Sequence, residues 1–445
     1  MPTLKFVGRY HATRSNRNAR ADRTEPDTPG FALGRAHGKM QVPSLCQWVA
    51  MATNSKKPDT LLTHSGSNPH VNFGVVNPPV YHASTILHPT VAHLEESQQR
   101  RFQKGVVSYG RYGTPTTFAL EDSVAALEGG DRAVAYCSGA AACYAALLGF
   151  LKTGDHLLMV DTVYGPVRAF CGGFLKRFGV ETTFYDPMIG SSIASLVRDN
   201  TKIIYLESPG SITFEVQDVP AIVAVAKARG IATMLDNTWA SPLFYQPLKF
   251  GVDVSIIAGT KYIVGHSDVM MGFTVCTDAS FPKVRQAAAE LGYHAAPDDV
   301  YLALRGLRTA GVRMRHQEQQ ALALARWLER RSEVDRVLHP ALPDHPGHEF
   351  WLRDFTGSSG LFGVVLRKGI SHTALSAMLD GMDLFGMGAS WGGYESLILP
   401  THPERMRTAN QWDSGPTLRI HAGLEDLGDL IGDLERGFAR MNAAR

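Results

Sequence analysis

Short apolar runs alternate with longer segments of helical periodicity between residues 130 and 275, and this alternation limits the fold more than any other feature of the sequence. Buried strands are predicted at 133–137, 156–161, 203–208, 231–236 and 254–259. Between two of them, residues 219–230 carry apolar side chains at positions i, i+3 and i+4 before a glycine, a pattern typical of an amphipathic helix. Strands that alternate with helices form a mainly parallel sheet covered on both faces, and ligands bind at the carboxyl ends of such strands. The predicted fold class is therefore α/β.

Four regions are predicted along the 445 residues: 1–57, 58–115, 116–309 and 310–445. The second is rich in Pro, Asn, Gly and His and is interpreted as an extended arm, while the third holds the strands of a large domain. After residue 310, helical patterns give way to a mixed arrangement that closes with a helix at 424–441. This favours a smaller α+β C-terminal domain.

The basic first region is interpreted as disordered or non-native, with a true start at Met51. Because it is rich in Arg, an amphipathic transit peptide stays open as the alternative. Residues 1–50 carry a net charge of +5, so the rest of the chain carries −3 of the overall +2. A mildly acidic body offers no field that attracts nucleic acid, and no nucleic-acid partner is expected.

The cysteines and one uncharged segment bear on the cellular compartment and on membrane association. The five cysteines lie far apart without a Cys-x-x-Cys pair, which argues against a disulfide framework or a zinc knuckle and favours a reducing, cytoplasmic compartment. Residues 133–151 contain no charge over 19 positions, but Ala, Gly, Ser and Cys dominate them. The segment is interpreted as a strand, a tight turn and a buried helix, so no membrane association is expected.

No metal site is expected either, because the histidines of the arm lack the spacing of metal ligands.

Three features at the ends of predicted strands bear on chemistry. Asp236 follows an apolar strand, where a buried carboxylate either caps the next helix or meets a cationic ring nitrogen. Lys261 follows another apolar strand, and burial there lowers the pKa of its amine and makes it a usable nucleophile toward an aldehyde, with a purely structural lysine as the alternative. The turn CSGAAA at 137–142 leaves backbone amides at a helix start open to a phosphate, although such turns are common.

One ligand satisfies all three features. It carries a phosphate, an electrophilic carbonyl and a basic ring nitrogen, and pyridoxal 5'-phosphate has all three. The chain has neither a G-x-G-x-x-G nor a Walker A run, so a dinucleotide or ATP is not indicated. The predicted cofactor is therefore pyridoxal 5'-phosphate.

A series of motifs over about residues 59–441 resembles the Cys/Met-metabolism branch of the fold-type I pyridoxal-phosphate enzymes, most closely its bacterial beta-lyases that act on cystathionine. The motifs are YGRYGTPT (109–116), LEGGDRAVAYCSGAAA (127–142), DTVYGPVR (161–168), ESPGSITFEVQDVPAI (207–222), LDNTWASPLF (235–244), GTKYIVGHSDVMMG (259–272), RGLRTAGVRMR (305–315), GHEFWLRDFTGSSGLF (347–362), SWGGYESLILP (390–400) and TLRIHAGLEDLGDLIGDLERGF (417–438). The resemblance implies an aspartate-aminotransferase-like large domain at 116–309 that binds the cofactor, and an arm that contributes to the neighbouring subunit.

The resemblance also implies roles for individual residues in cofactor binding. Lys261 would hold the cofactor covalently, Asp236 would keep its pyridine nitrogen protonated and Tyr164 would stack on its ring, so these three are the predicted catalytic residues. The predicted phosphate contacts are Gly139, Ala140, Thr260 and, from a neighbouring subunit, Tyr109 and Arg111.

For the substrate, the resemblance implies that Arg419 clamps the α-carboxylate, helped by Ser390, Trp391 and Tyr109. Arginine suits this task because its planar fork matches a carboxylate bidentately. A homodimer would be the smallest active unit, and a homotetramer the usual assembly.

Three departures from the broad family pattern qualify these roles. Ala258 stands where many relatives carry Ser, which removes one phosphate hydroxyl. The segment 210–212, Gly-Ser-Ile, replaces Thr-Asn-Pro, so a contact to the ring hydroxyl falls to Ser211 or is absent. Gly259 is unusual and is expected to loosen the strand end slightly. The Gly-Ser-Ile variant, together with Trp391, favours the beta-lyases over the gamma enzymes.

The reaction implied is the α,β-elimination of L-cystathionine with water to L-homocysteine, pyruvate and ammonia, a step of methionine biosynthesis. A sibling gamma-type enzyme, either a methionine gamma-lyase or a cystathionine gamma-synthase, is the alternative, and it needs a second proton abstraction at Cβ. A non-catalytic scaffold that only binds the cofactor is a more remote alternative.

Overall fold

The computed structural model describes residues 56–444, so nearly all of the predicted N-terminal extension lies outside the described residues. The helices are α1 (Pro58–His64), α2 (Val91–Gln99), α3 (Pro115–Glu128), α4 (Gly139–Leu148), α5 (Gly165–Phe170), α6 (Val219–Ala228), α7 (Ser241–Phe244), α8 (Phe281–Glu290), α9 (Pro297–Leu307), α10 (Ala310–Leu328), α11 (His348–Asp354), α12 (His372–Leu379) and α13 (Leu427–Ala443). Short 3-10 turns lie at Pro69–Val71, Gly110–Tyr112, Gly190–Leu196, Pro247–Phe250 and Pro403–Arg405, and a π-helical turn continues α5 over Cys171–Leu175.

The strands form two separate sheets. They are β1 (Arg132–Tyr136), β2 (His156–Val160), β3 (Glu181–Tyr185), β4 (Thr201–Glu207), β5 (Ala232–Asp236), β6 (Val254–Ile257), β7 (Gly272–Cys276), β8 (Val334–Leu338), β9 (Leu361–Leu366), β10 (Leu397–Thr401) and β11 (Thr417–His421). The first seven make one sheet in the order β1-β7-β6-β5-β4-β2-β3, and the last four make a second in the order β10-β11-β9-β8.

The seven-stranded sheet is parallel from β3 through β6, because α6 and the other crossovers return the chain to the same edge. Its central strands are buried along almost their whole length, which explains why they read as continuous apolar runs. The five predicted strands are confirmed as β1, β2, β4, β5 and β6, with ends that differ by one or two residues. The predicted α/β architecture is confirmed.

Two strands of the large sheet were not predicted. β3 lies at the sheet edge, and its sequence ETTFY has only one fully buried residue, so it lacks an apolar signal. β7 runs antiparallel between β1 and β6 and starts at a glycine, directly after a loop. The sheet is therefore mixed at this end.

The four-stranded sheet is antiparallel throughout. Its apolar face packs with α10, α12 and α13 in a core of its own, separate from the core of the large sheet. α10 begins at Ala310, the position where the C-terminal domain was predicted to start. The division into domains at residue 310 stays a proposal.

The predicted arm is only partly extended. Its beginning and its middle form α1 and α2, because Pro58 starts one helix and the Thr90 side chain caps the other. Leu61 and Leu62 anchor α1 in the core beside α3, whereas Phe73 is fully exposed. The prediction of an extended segment is thus wrong for the two helices, and a role of the arm in a neighbouring subunit stays a proposal.

The uncharged segment 133–151 folds as β1, a turn and α4, as its composition predicted. Between residues 56 and 444, none of the helices combines the length and the apolar character that a bilayer crossing requires. The cysteines of this part of the chain, Cys137, Cys143, Cys171 and Cys276, are all free thiols.

Candidate active site

The carboxyl edge of the large sheet gathers the predicted chemical groups. β4 ends at Glu207, β5 ends at Asp236, and Lys261 lies four residues beyond β6. Glu207 and Asp236 are partners in the register of β4 and β5, so their side chains leave the sheet at the same level. Parallel strands end at one edge, which is why residues distant in sequence meet here.

Asp236 is buried, with 8% of its surface exposed. Its Oδ1 accepts a hydrogen bond from the backbone amide of Thr238 at 3.0 Å, so the carboxylate also caps the turn that follows β5. Burial raises the pKa of Asp236, and the hydrogen bonds from Thr238 and the charge of Lys261 oppose this. A cation placed beside Asp236 would stabilise its ionised form further.

The amine of Lys261 points at the loop that precedes β10. Its Nζ donates to the Ser390 hydroxyl at 2.7 Å and lies 5.3 Å from the centre of the Trp391 ring. Burial, followed by the nearby charge of Arg419, lowers the pKa of Lys261 to about 8, while Asp236 acts in the opposite direction. A lowered pKa of Lys261 is what the apolar strand before it predicted.

The turn from β1 to α4 is tightly packed. The Ser138 hydroxyl accepts from the amide of Ala141 at 3.1 Å and so caps α4, while the amides of Gly139 and Ala140 belong to the first helical turn. A Cβ added at Gly139 would lie 2.6 Å from the Cβ of Ala258. Only glycine therefore allows this helix start to approach the end of β6.

The Thr260 hydroxyl is engaged within the protein. It donates to the carbonyl of Met271 at 3.1 Å and accepts from the amide of Met271 at 2.8 Å, which ties the segment after β6 to the start of β7. Its predicted contact to a phosphate stays a prediction. At the neighbouring Gly259, an added Cβ would collide with the Phe273 ring, so this position has no room for a side chain. The expectation that Gly259 loosens the strand end stays a prediction.

Tyr164 and Ser211 meet at a carboxyl group that the sequence reasoning did not single out. The amide of Tyr164 donates to Glu207 at 2.7 Å, and the Ser211 hydroxyl donates to the other oxygen of Glu207 at 2.5 Å. Burial and the adjacent Asp236 raise the pKa of Glu207. Glu207 could have been found from its place at the end of an apolar strand, the signal that identified Asp236.

Arg419 lies on β11 of the smaller sheet and faces the same cleft. Its Nη2 donates to the carbonyl of Ser390 at 2.9 Å and to those of Gly388 and Ala389 at 3.3 Å each. Ser390 thus touches both Arg419 and Lys261. The structure brings five predicted residues together: Asp236, Lys261, Ser390, Trp391 and Arg419.

Tyr109 and Arg111 do not join this group within one chain. Arg111 donates to the carbonyl of Ala289 at 2.5 Å and to the Tyr112 hydroxyl at 3.3 Å, and its guanidinium lies over the Tyr112 ring. Tyr109 is 41% exposed. Over residues 56–444, no hydrogen bond links either side chain to Lys261 or Asp236, so a contribution across a subunit boundary stays a proposal.

The geometry agrees with the known proteins that this chain resembles. The family model described as Cys/Met metabolism PLP-dependent enzyme matches residues 59–439. This chain belongs to that family. Its members bind pyridoxal phosphate, so the predicted cofactor and the fold-type I α/β class are confirmed.

Two curated relatives cover most of the chain. A putative cystathionine beta-lyase of Rhizobium johnstonii is 47% identical over 86% of this chain and 96% of its own length. The cystathionine beta-lyase of Escherichia coli K12 is 46% identical over 87% of this chain and 99% of its own length. Among solved structures, a cystathionine gamma synthase of Xanthomonas oryzae, in complex with aminoacrylate and cysteine, is 30% identical with a TM-score of 0.79 over 88% of this chain and all of its own.

The residues of the cleft fit pyridoxal phosphate. An amine with a pKa of about 8 is partly neutral near physiological pH and can attack an aldehyde. A buried acid next to it suits a protonated ring nitrogen, and a close-packed helix start offers amides to a phosphate. The three kinds of partner that the cofactor needs lie at one edge of the sheet.

Proposed function

We propose that this chain cleaves L-cystathionine by α,β-elimination, consuming water and giving L-homocysteine, pyruvate and ammonia. The observation that carries the proposal is the contact of Ser390 with both Lys261 and Arg419, which puts a carboxylate-binding cation next to a base. A substrate whose carboxylate lies at Arg419 presents its amine and its Cα to Lys261. The likeness to curated beta-lyases over most of the chain supports the same reaction.

Lys261 has two tasks in this proposal. Its amine would hold the cofactor, and the same Nζ, once free, would accept the proton from Cα of the substrate. Pyridoxal phosphate, when bound, supplies an electron-poor ring that stabilises the negative charge formed at Cα. Burial keeps the pKa of Lys261 near 8, so a useful fraction of the amine is neutral and able to accept this proton.

Asp236 keeps a proton on the pyridine nitrogen of the cofactor. A neutral ring would withdraw electrons far less, so the ionised state of Asp236 matters directly to the rate. Burial raises the pKa of Asp236, and a cationic ring nitrogen beside it would lower that pKa and so favour the ionised carboxylate.

Tyr164 would pack on the cofactor ring in this proposal, and Glu207 accepts a hydrogen bond from the backbone amide of Tyr164. The amides of Gly139 and Ala140 and the Thr260 hydroxyl would hold the phosphate. Tyr109 and Arg111 reach it from a neighbouring subunit, which makes a homodimer the minimal active unit and a homotetramer the expected assembly.

The binding of the substrate carboxylate rests on Arg419, with Ser390 and Trp391 beside it. The Trp391 ring is held against Tyr262, with 5.4 Å between ring centres, and so forms a bulky wall next to Lys261. The Ser211 hydroxyl donates to Glu207, so in a contact with the ring hydroxyl its oxygen would act as the acceptor.

The alternative is a gamma-type reaction, favoured by the structural likeness to a cystathionine gamma synthase. Product analysis with purified enzyme and L-cystathionine separates the two, because β-elimination releases pyruvate and γ-elimination releases 2-oxobutyrate. We expect pyruvate and homocysteine in equal amounts. Release of 2-oxobutyrate as the main oxoacid would replace the proposal by the gamma-type reaction, and full cofactor loading without turnover of any sulfur amino acid would favour the non-catalytic scaffold.

L-Alanine is a useful control substrate. It carries the same amine and carboxylate but no leaving group at Cβ, so elimination from it is impossible. We expect L-alanine to change the visible absorbance of the bound cofactor without releasing pyruvate. Pyruvate from L-alanine would show that a reaction other than elimination is being measured.

A further inference from the structure

His421 is a fully buried histidine two residues after Arg419 on β11. Residues two apart on a strand point to the same face, so His421 and Arg419 lie side by side. The Nε2 of His421 is 3.1 Å from the amide nitrogen of Gly392, with geometry for a hydrogen bond in which the amide donates. The substrate-side loop, residues 388–393, therefore has an anchor in the strand that carries Arg419.

Gly392 is pressed against the backbone of Lys261. Its φ is +86°, and an added Cβ would lie 2.9 Å from the carbonyl carbon of Lys261. Both its backbone conformation and its surroundings thus require glycine. The amide that His421 holds belongs to the residue directly after Trp391 and two after Ser390.

His421 is suited to accept this hydrogen bond because it is neutral. Burial lowers its pKa to about 4, and the charges of Arg419 and Lys261 act in the same direction. The carbonyl of Gly393 lies 3.3 Å from the same nitrogen, but it already accepts from Gln317 at 2.7 Å. Because a backbone amide can only donate, the shorter contact with Gly392 requires the lone pair of the ring to lie on Nε2.

We propose that His421 is a positioning residue for the amino-acid substrate: it fixes Gly392, and through it holds Ser390 and Trp391 in place beside Lys261. The proposal rests on the assignment of Ser390, Trp391 and Arg419 to the substrate in the proposed function. The hydrogen bonds of the His421 side chain go to Gly392 and Gly393 and not to the side chains assigned to the cofactor, so we expect its loss to weaken substrate binding while the cofactor stays in place.

The test compares His421→Leu, His421→Asn and His421→Gln in the cofactor-loaded enzyme. Gln carries an oxygen about as far from the backbone as Nε2, whereas the shorter Asn does not reach Gly392 and Leu has no acceptor. We expect Leu and Asn to raise the KM for L-cystathionine on the order of tenfold, the ratio that corresponds to one buried hydrogen bond. We expect kcat to change less than KM, cofactor content to stay at the wild-type value, and Gln to restore most of the KM.

His339 provides a matched control. It is also fully buried, directly follows β8 of the same sheet, and accepts a hydrogen bond from the backbone amide of Ala341 at 3.1 Å. Burial lowers its pKa to about 3. Because it does not touch residues 388–393, His339→Leu should lower the melting temperature and leave the KM unchanged.

The same variants are also titrated with L-alanine, followed by the absorbance of the cofactor, and the dissociation constant should rise as the KM does. A His421→Gln enzyme no better than His421→Asn, or a KM shift in His339→Leu as large as in His421→Leu, would overturn the positioning role. If wild-type enzyme releases no pyruvate from L-cystathionine, the proposed reaction fails, and the L-alanine titration alone then decides on His421.

Discussion

The two sheets of this protein contribute different kinds of groups to one cleft. The seven-stranded sheet supplies acids and an amine from positions at or just after strand ends, where burial shifts their pKa values. The four-stranded sheet supplies a guanidinium and a neutral histidine from the middle and end of one strand, and these hold a loop by its backbone. The first arrangement suits a cofactor that stays bound, and the second suits an amino acid that must enter and leave.

This difference predicts two kinds of kinetic defect. Changes on the large sheet should reduce kcat and cofactor retention together, because Lys261 and Asp236 are assigned to the cofactor itself. Changes on the small sheet should act on KM, because Arg419 is assigned to the substrate carboxylate. If variants of the large sheet changed mainly KM, or variants of the small sheet lost cofactor, the two sheets would not divide the cleft in this way.

The largest effect is expected for Lys261→Ala. The variant loses both the attachment of the cofactor and the base at Cα, and acid–base assistance alone is worth about 10²–10⁴-fold. We expect turnover to fall by that factor or more, and borohydride treatment to leave no mass increase at position 261. The exposed Lys202 on β4 is the control, since Lys202→Ala should behave as wild type. Substantial lyase activity in Lys261→Ala would refute its assignment.

Asp236→Asn keeps the shape of the side chain and removes its charge. Because the ring nitrogen then loses its anionic partner, we expect kcat to fall about 10²–10³-fold, as for other removed electrostatic contacts, and the cofactor to dissociate more readily on dialysis. Asp253 precedes β6 at the opposite edge of the sheet and accepts from Thr233 at 2.8 Å, so Asp253→Asn is the matched control. Equal kcat values for the two variants would contradict the role of Asp236.

Arg419→Lys keeps a positive charge and loses the planar fork. We expect the KM for L-cystathionine to rise about 10–100-fold, the equivalent of one or two charge-assisted hydrogen bonds, with an unchanged absorbance of the bound cofactor. Arg336→Lys, at an exposed position of β8 in the same sheet, should leave the KM unaltered. A fall in cofactor content of Arg419→Lys would break the division between the two sheets.

The pH dependence of cofactor attachment gives the smallest effect. With a pKa of about 8 for Lys261, the neutral amine is about 9% of the total at pH 7 and about 91% at pH 9. We expect the attachment rate of dialysed, cofactor-free protein to rise about tenfold over this range and then level off. An amine with the ordinary pKa of about 10.4 would instead rise about a hundredfold without a plateau. The rate is followed by absorbance after mixing, and a rise that continues above pH 9 would contradict the shifted pKa.

The parts that could be predicted from the sequence share one physical origin. A charged residue at or shortly after the end of an apolar strand is expected at the carboxyl edge of the sheet, and this signal identified Asp236 and Lys261. The same reasoning located β1, β2, β4, β5 and β6, since strands covered on both faces are apolar throughout. The C-terminal helix was predicted at 424–441 and runs over Leu427–Ala443, because Asp426 caps its start.

The remaining parts depend on contacts that the sequence does not show locally. The edge strand β3 has few buried residues, and β7 lies between β6, which precedes it in the chain, and the distant β1. The sequence alone does not show that Gly259 lies against the Phe273 ring, where no side chain would fit. In the sequence His421 cannot be told from an ordinary core residue. The hydrogen bond that it accepts from Gly392 depends on how β11 packs against the loop 388–393.

The pairing of Glu207 with Asp236 across one level of the sheet has a consequence for the lifetime of the protein. Two buried acids side by side are unfavourable when the ring cation is missing, because burial and mutual repulsion penalise their charges. The free energy of unfolding is therefore expected to be larger when the vitamin-derived cofactor is bound. We therefore expect cofactor-free protein to be cut by a protease faster than the loaded protein, which limited proteolysis of the two forms would measure.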